Sequence, residues 1–311
     1  MLDLALTAAL LLAPPQESVA APVERAPLDR VAFVGASVSA GAGNAAELEV
    51  RRDVGLGTFL AAAYTAAPEA PPAPTDLGST YFFMDPRANG AKQIAAAREA
   101  DSTVVVALDF LFWYAYGERT LFDPRRAQGL EEGLRALEKL ECPIVLGDLP
   151  NIEHALTGAG PFGAPLVHRG MLPTEPERLA MNERISAWAK ERGRVAVVPL
   201  SDLVEHMKDG GTVKLRGSSW TVEEIGEALQ KDRLHPTVPG SSWVALHVAE
   251  ALVELELATP ERFRWDGAAV AARVRELTEP ARAKKRELDA KKAARRQARE
   301  ERRKRDSGDG D

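Results

Sequence analysis

The sequence predicts an α/β domain in which a parallel sheet is covered by helices on both faces. Continuous apolar runs, rich in β-branched residues, recur along the chain, and each is followed by turn residues and a stretch of helical spacing. With 45% hydrophobic residues among 311, there is apolar material for one large core or two small ones. The single cysteine, Cys142, read as a buried free thiol, excludes an intrachain disulfide, so the fold rests on that core.

The first element is "RVAFVG" (30–35), a short apolar strand closed by glycine, and helical spacing follows at 55–65. "APEAPPAPTD" (67–76) is rich in Pro and Ala and reads as a surface loop of polyproline character. "STYFFMD" (79–85) is the weakest strand candidate, followed by a helix at 90–99. "STVVVALDFLFW" (102–113) is the strongest strand, because β-branched residues favour a pleated, buried surface, and a helix at 124–140 succeeds it. "CPIVLGDLP" (142–150) and "RVAVVPLSD" (194–202) are the remaining strands, separated by a helix at 175–192. The long connection "GAGPFGAPLVHRGMLP" (158–173) has the length of a lid or binding loop, and a last helix spans 239–257. Right-handed crossovers distribute these helices over both faces, and in such sheets sites form where the strands' C-terminal ends open into loops.

Charge is unevenly distributed. The net −6 divides into a body of −12 over residues 1–280 and a segment, 281–306, with 13 Lys and Arg against 5 Asp and Glu. An acidic body argues against nucleic acid as its partner. The tail, 281–311, reads as a solvated single helix or a disordered segment, with electrostatic contact to anionic surfaces as its possible use. At the other end, the apolar run Leu4–Ala13 followed by "SVAA" resembles a secretory leader over 1–21, although Asp3 and the lack of Lys or Arg before the run are unlike one; export is the expectation. These limits leave a domain at 28–258 and an extension at 259–280.

"GASVSAGAG" (35–43) turns the chain after the first strand with residues too small to pack. It lacks the Gly-Lys-Ser/Thr of a P-loop and the in-frame G-x-G-x-x-G of a dinucleotide fold. Either it is a tight strand-to-helix turn, or its amides and Ser37 serve a substrate. "KDRLHPTVPGSSW" near the other end places Asp232 and His235 three residues apart, with Pro236 keeping His235 out of a helix. A hydroxyl is a poor nucleophile at neutral pH. It needs an imidazole to take its proton and a carboxylate to hold the ring, and these two residues supply both from one turn.

Gly35-Ala36-Ser37 with Gly41 resembles the first block of the SGNH/GDSL hydrolases, and Asp232-Arg-Leu-His235-Pro236 resembles their last. "ANGAKQI" (88–94) and "VVALDFLFW" (105–113) match the middle blocks loosely, and the likeness covers roughly 28–256. The resemblance implies a flavodoxin-like three-layer α/β/α sandwich with a five-stranded parallel sheet and no metal or organic cofactor. It implies an esterase with a Ser37, Asp232, His235 triad acting on a small-molecule ester, an acetylated carbohydrate or small lipid ester. The Ser37 and Gly90 amides and a side-chain amide would form the oxyanion hole. The alternative is a non-catalytic relative that binds a ligand such as a glycan in the same cleft; a weaker third is an envelope scaffold using the basic tail.

Two positions depart from the family pattern: Ala36 replaces the Asp of the first block, and Asp109 stands where an Asn would donate to the oxyanion. An ionised carboxylate cannot donate, and its charge would oppose the oxyanion. Three resolutions follow: burial keeps Asp109 protonated; Asp109 faces away and Asn89 or Asn151 donates; or the protein catalyses nothing. A cleft-facing Asp109 predicts that Asp109→Asn leaves activity equal or higher. Phe110 and Trp113, from an aromatic cluster more often core than pocket, and His168, in the long connection, are pocket candidates beside Asp109. His154 also lies in a loop that can reach the cleft, and no Cys/His cluster has metal-ligand spacing.

Overall fold

The valine-rich runs form the inner strands of a single sheet. The computed structural model describes residues 26–65, 71–117, 125–160, 162–208 and 210–308; the leader expected at 1–21 lies outside them. The chain runs β1 (Val31–Phe33), α1 (Asn44–Glu47), α2 (Leu56–Ala63), β2 (Thr75–Asp76), α3 (Pro86–Glu99) and β3 (Val104–Ala107). It continues through α4 (Phe112–Ala115), α5 (Arg125–Leu137), β4 (Ile144–Gly147), α6 (Glu175–Arg192), β5 (Val195–Val198) and α7 (Leu200–Lys208). A hairpin, β6 (Thr212–Leu215) and β7 (Ser218–Thr221), precedes α8 (Ile225–Ala228), α9 (Val238–Glu254), α10 (Gly267–Leu277) and α11 (Glu279–Gly308).

The five strands lie in the order β2-β1-β3-β4-β5, all parallel, with Ala32 beside Thr75 and Val105, and Val145 beside Val106 and Ala196. Period-2 alternation sends side chains into two cores. Phe33, Val104, Val106 and Val198 pack with Phe59 of α2, Leu246 of α9 and Val270 of α10, whereas Val105, Ala107, Ile144 and Leu146 pack with α3, α5 and α6. Burying a side chain of this size contributes about 1.5–3 kcal/mol. The result is the flavodoxin-like three-layer sandwich. The chain leaves β1 for β2 on one side and returns to β3 on the other, so the sheet's switch point lies at the C-terminal ends of β1 and β3, where such sheets hold ligands.

The strand expected at 79–85 is a 3-10 turn, Phe82–Met84. Phe82 is its anchor, with its ring 5.4 Å from Phe110 and 6.1 Å from Tyr114, while Tyr81, Phe83 and Met84 face solvent. The fifth strand instead lies within the Pro/Ala-rich segment read as a loop. It extends β1 through Leu77 N, which donates to Phe33 O at 2.8 Å, and Ser79 N, which donates to Gly35 O at 3.1 Å. The extension at 259–280 folds onto the domain, with Phe263, Val270 and Val274 in the core. The unforeseen hairpin is held by Trp220, stacked on Trp243 of α9 at 5.9 Å. Cys142 is free and only half-buried. Among the described residues, no helix is long and apolar enough to cross a membrane.

Candidate active site

The turn after β1 is built by its backbone hydrogen bonds. Gly35 has φ 143°, and a Cβ there would stand 2.2 Å from Asp109 Oδ1, so glycine is required. Gln93 of α3 grips this peptide from both sides: Gly35 N donates to Oε1 at 2.7 Å, and Nε2 donates to Gly35 O at 2.9 Å. Asp109, just beyond β3, reaches beneath the turn. Its Oδ1 accepts from Ala36 N (2.9 Å) and Ser39 Oγ (2.6 Å); its Oδ2 accepts from Val38 N (2.8 Å) and Ser39 N (3.3 Å). Val34 N, Ala40 N, Gly41 N and Ala42 N donate to backbone carbonyls. From residue 34 to 42, the Ser37 amide alone has no hydrogen-bond partner among the described residues. The amides on either side of it are each held by one oxygen of Asp109. Burial pushes the Asp109 carboxyl up, against the pull of its four donors.

The acid–base turn is equally local. Asp232 Oδ1 accepts from Leu234 N at 2.9 Å and His235 N at 3.0 Å, folding the segment into an Asx-type turn in which Arg233 takes φ 56°. Oδ2 is thereby left for His235 Nδ1, at 2.8 Å. In this geometry the ring's Nδ1–H donates to the carboxylate, which leaves Nε2 as the acceptor. Burial opposes ionisation of Asp232, but the His235 ring and the two amides outweigh it and hold the carboxyl below its usual range.

Gln230 clamps the two turns together: its Nε2 donates to Ala42 O at 2.8 Å and to Pro236 O at 2.9 Å. Ser37, Leu234 and Pro236 line one cavity of about 70 Å³. No hydrogen bond joins Ser37 Oγ to the His235 ring. The cavity runs beneath the ends of β3 and β4, between α7 and α9, and its wall is mainly apolar, with Leu108, Leu200, Leu203 and Val244 among its residues. Asp148 and His154 also line it. Asp148 accepts from Ser201 N at 2.7 Å, and burial pushes its carboxyl up. His154 Nδ1 is buried without a partner, and burial pushes the imidazole down.

Several residues singled out in the sequence lie elsewhere. Asp109 does line the cavity, as expected, but its carboxylate oxygens are bonded into the Ser37 turn. Gly90 sits inside α3, one residue past Asn89, whose N–H closes a helical bond onto Asp85 O at 2.9 Å; the Gly90 N–H belongs to the same helical ladder. What Gly90 permits is packing, since a Cβ there would meet Tyr114 Oη at 2.3 Å. The Asn89 amide donates to Tyr81 O (3.2 Å) and Phe82 O (3.4 Å), and Asn151 accepts from Glu153 N (2.9 Å) in a separate pocket beside Arg169 and Arg178. Phe110 is core. Trp113 packs on Phe83 and Phe112 at 5.8 and 5.0 Å, and it is Phe112 that reaches the cavity. His168 is exposed, and His154 is the loop histidine at the cavity. Gln93 and Gln230 carry no motif signal; their importance comes from main-chain groups that only the fold brings to them. No family model matches the chain, and no curated protein matches it.

Proposed function

We propose that this chain is a serine hydrolase of the SGNH type that cleaves carboxylic esters through an acyl-enzyme. The observation that carries the reading is the Ser37 turn: its one free amide belongs to the candidate nucleophile, and a hydrogen-bonded Asp232–His235 pair is clamped against it. In this mechanism Ser37 Oγ attacks the ester carbonyl as its proton passes to His235 Nε2, and Asp232 stabilises the imidazolium. The oxyanion accepts from Ser37 N–H. The carbon–oxygen bond to the alcohol breaks, and the alcohol leaves with the proton from His235. Water, deprotonated by His235, then attacks the acyl carbon, and Ser37 is released with the carboxylic acid. The free protein has no Ser37–His235 hydrogen bond, which is compatible with this sequence because catalytic hydrogen bonds often form only around substrate.

The acyl group is short. A cavity of about 70 Å³ is about five times the ~10–15 Å³ that one water needs, which suits an acyl chain of roughly two to five heavy atoms. One observation favours a second reading, a non-catalytic binder of small ligands: neither Asn89 nor Asn151 offers a side-chain amide beside the Ser37 N–H.

A fluorophosphonate probe separates the two. Attack by Ser37 Oγ on phosphorus expels fluoride and leaves a stable phosphonylated serine. The hydrolase reading expects labelling of wild type, none of Ser37→Ala, and p-nitrophenyl acetate turnover abolished in both Ser37→Ala and His235→Ala at unchanged thermal midpoint. An unlabelled wild-type protein, or turnover that survives either substitution, overturns it.

A further inference from the structure

The C-terminal helix α11 sorts its charges by face. At about 100° per residue, Lys284, Lys285, Lys291 and Lys292 fall within one arc of ~140°. Arg295, Arg296, Arg299, Arg302 and Arg303 fall in the same arc. Of the ten residues between 284 and 303 that lie there, Leu288 is the only one that is not Lys or Arg. The other face carries Ala, Gln, the acids Glu287, Asp289, Glu300 and Glu301, and Arg286, which is paired with Glu279. The stripe is hardly neutralised within the chain. Among the described residues Lys291 alone of these nine has an ion-pair partner, Glu287, and from 291 to 303 every residue is exposed.

The stripe continues onto the body. Arg282 bonds Glu49 at 2.6 Å, which seats the helix root beside the 50–54 loop. Exposed Arg51 and Arg52 there line a groove of about 510 Å³ with Lys284. That loop leaves the same end of the sheet as Ser37, since Val54 is bonded to Asn44 and Leu56 N to Ser39 O.

We propose that α11, with Arg51 and Arg52, is a docking face for an anionic lipid bilayer surface. A straight stripe ~28 Å long, at 1.5 Å per residue, stays in contact with a plane over its whole length, but with a groove winding round a nucleic-acid duplex over only part of it. The helix has no apolar face to insert, so it binds headgroups by charge and lies on the surface. The body's −12 would be held off that surface by the same stripe.

Co-sedimentation of the full chain tests this, with vesicles of 30% phosphatidylglycerol in phosphatidylcholine against phosphatidylcholine alone. Partitioning onto the anionic vesicles is expected at low salt and is lost near 0.5 M salt, where the Debye length is about threefold shorter than at 0.05 M. The variant Arg295→Glu, Arg296→Glu, Arg299→Glu, Arg302→Glu is expected to bind at least ~100-fold more weakly. A second variant keeps the net charge but moves two cations off the stripe: Ala294→Arg with Arg295→Ala, and Ala298→Arg with Arg299→Ala. It should bind about 10-fold more weakly, with unchanged helical circular dichroism. No partitioning of wild type, equal binding to neutral vesicles, wild-type affinity in the second variant, or tighter binding to a 24-base-pair duplex at the same salt would each overturn the proposal.

Discussion

Asp109→Asn tests whether the turn under Ser37 is held by a carboxylate. Four donors converge on Asp109: Ala36 N and Ser39 Oγ on one oxygen, Val38 N and Ser39 N on the other. An amide has one oxygen. With its NH₂ in place of Oδ2, two backbone amides face a donor. With its NH₂ in place of Oδ1, the Ser39 hydroxyl can rotate to accept from it and donate to Val34 O, already 3.3 Å away, and only Ala36 N is stranded. The second arrangement is cheaper. It still leaves one buried amide unsatisfied, at about 1–3 kcal/mol, and weakens the charge-assisted bonds to Val38 and Ser39. Relief of the buried carboxylate's desolvation offsets part of this, so a net loss of about 2–3 kcal/mol is expected. Because Ala36 and Val38 flank Ser37, a shift of either moves the nucleophile, and a 1 Å misplacement can cost about 100-fold in rate. Urea denaturation and p-nitrophenyl acetate hydrolysis measure the two effects. Ser39→Ala, which removes one donor of the four, should cost only about 1 kcal/mol. An Asp109→Asn protein with the wild-type midpoint and equal or higher kcat/KM would refute the bracing role and assign the carboxylate to the cavity that Asp109 lines.

Two further outcomes follow from the site and from α9. Hydrolysis of p-nitrophenyl esters should fall steeply beyond about five acyl carbons, and Leu203→Ala should extend that limit; a flat chain-length profile would show that the acyl group lies outside the cavity. His247, with Glu250 and His206 as its titratable neighbours, is pushed down from 6.5 to about 4 by burial, and its Nε2 has no partner. The unfolded chain therefore binds the extra proton between these values, so stability falls as pH drops from 6.5 toward 4. About 2 kcal/mol should be lost from pH 7 to pH 5 in wild type relative to His247→Gln, and identical pH slopes in the two would contradict it.

The sequence made the sheet legible because its inner strands are valine-rich runs long enough to carry a signal. Thr75–Asp76 was not legible: two residues in a Pro-rich stretch become a strand only because β1 offers them a free edge. Tyr81-Phe82-Phe83 misled in the opposite direction, since one aromatic anchor between Phe110 and Tyr114 needs no strand around it. At the site the same division holds. Asp232 and His235 were readable as a pair because the turn that joins them is made by their own atoms. The directions of Asn89, Gly90 and Asp109 were not, because each is set by groups distant in sequence or by the helix register around it.

The residues at positions 36 and 109 make physical sense together. The sequence lacks a carboxylate at position 36 and has one at position 109, and the Asp109 carboxylate is the group that ties down the amides around Ser37. The turn is thus braced from the end of the neighbouring strand and not by a side chain of its own position 36. If so, carboxylates at both positions should conflict. Ala36 N already donates to Asp109 Oδ1 at 2.9 Å, so an Asp at 36 would stand ~5 Å from the existing charge, a repulsion of about 3 kcal/mol at an effective dielectric near 20. Ala36→Asp should therefore be more damaging in the wild-type background than in Asp109→Asn, by about that amount in a double-mutant cycle read by urea denaturation. Additivity within about 0.5 kcal/mol would mean that the two positions do not share a role, and that the absence of Asp at 36 is unrelated to the presence of Asp109.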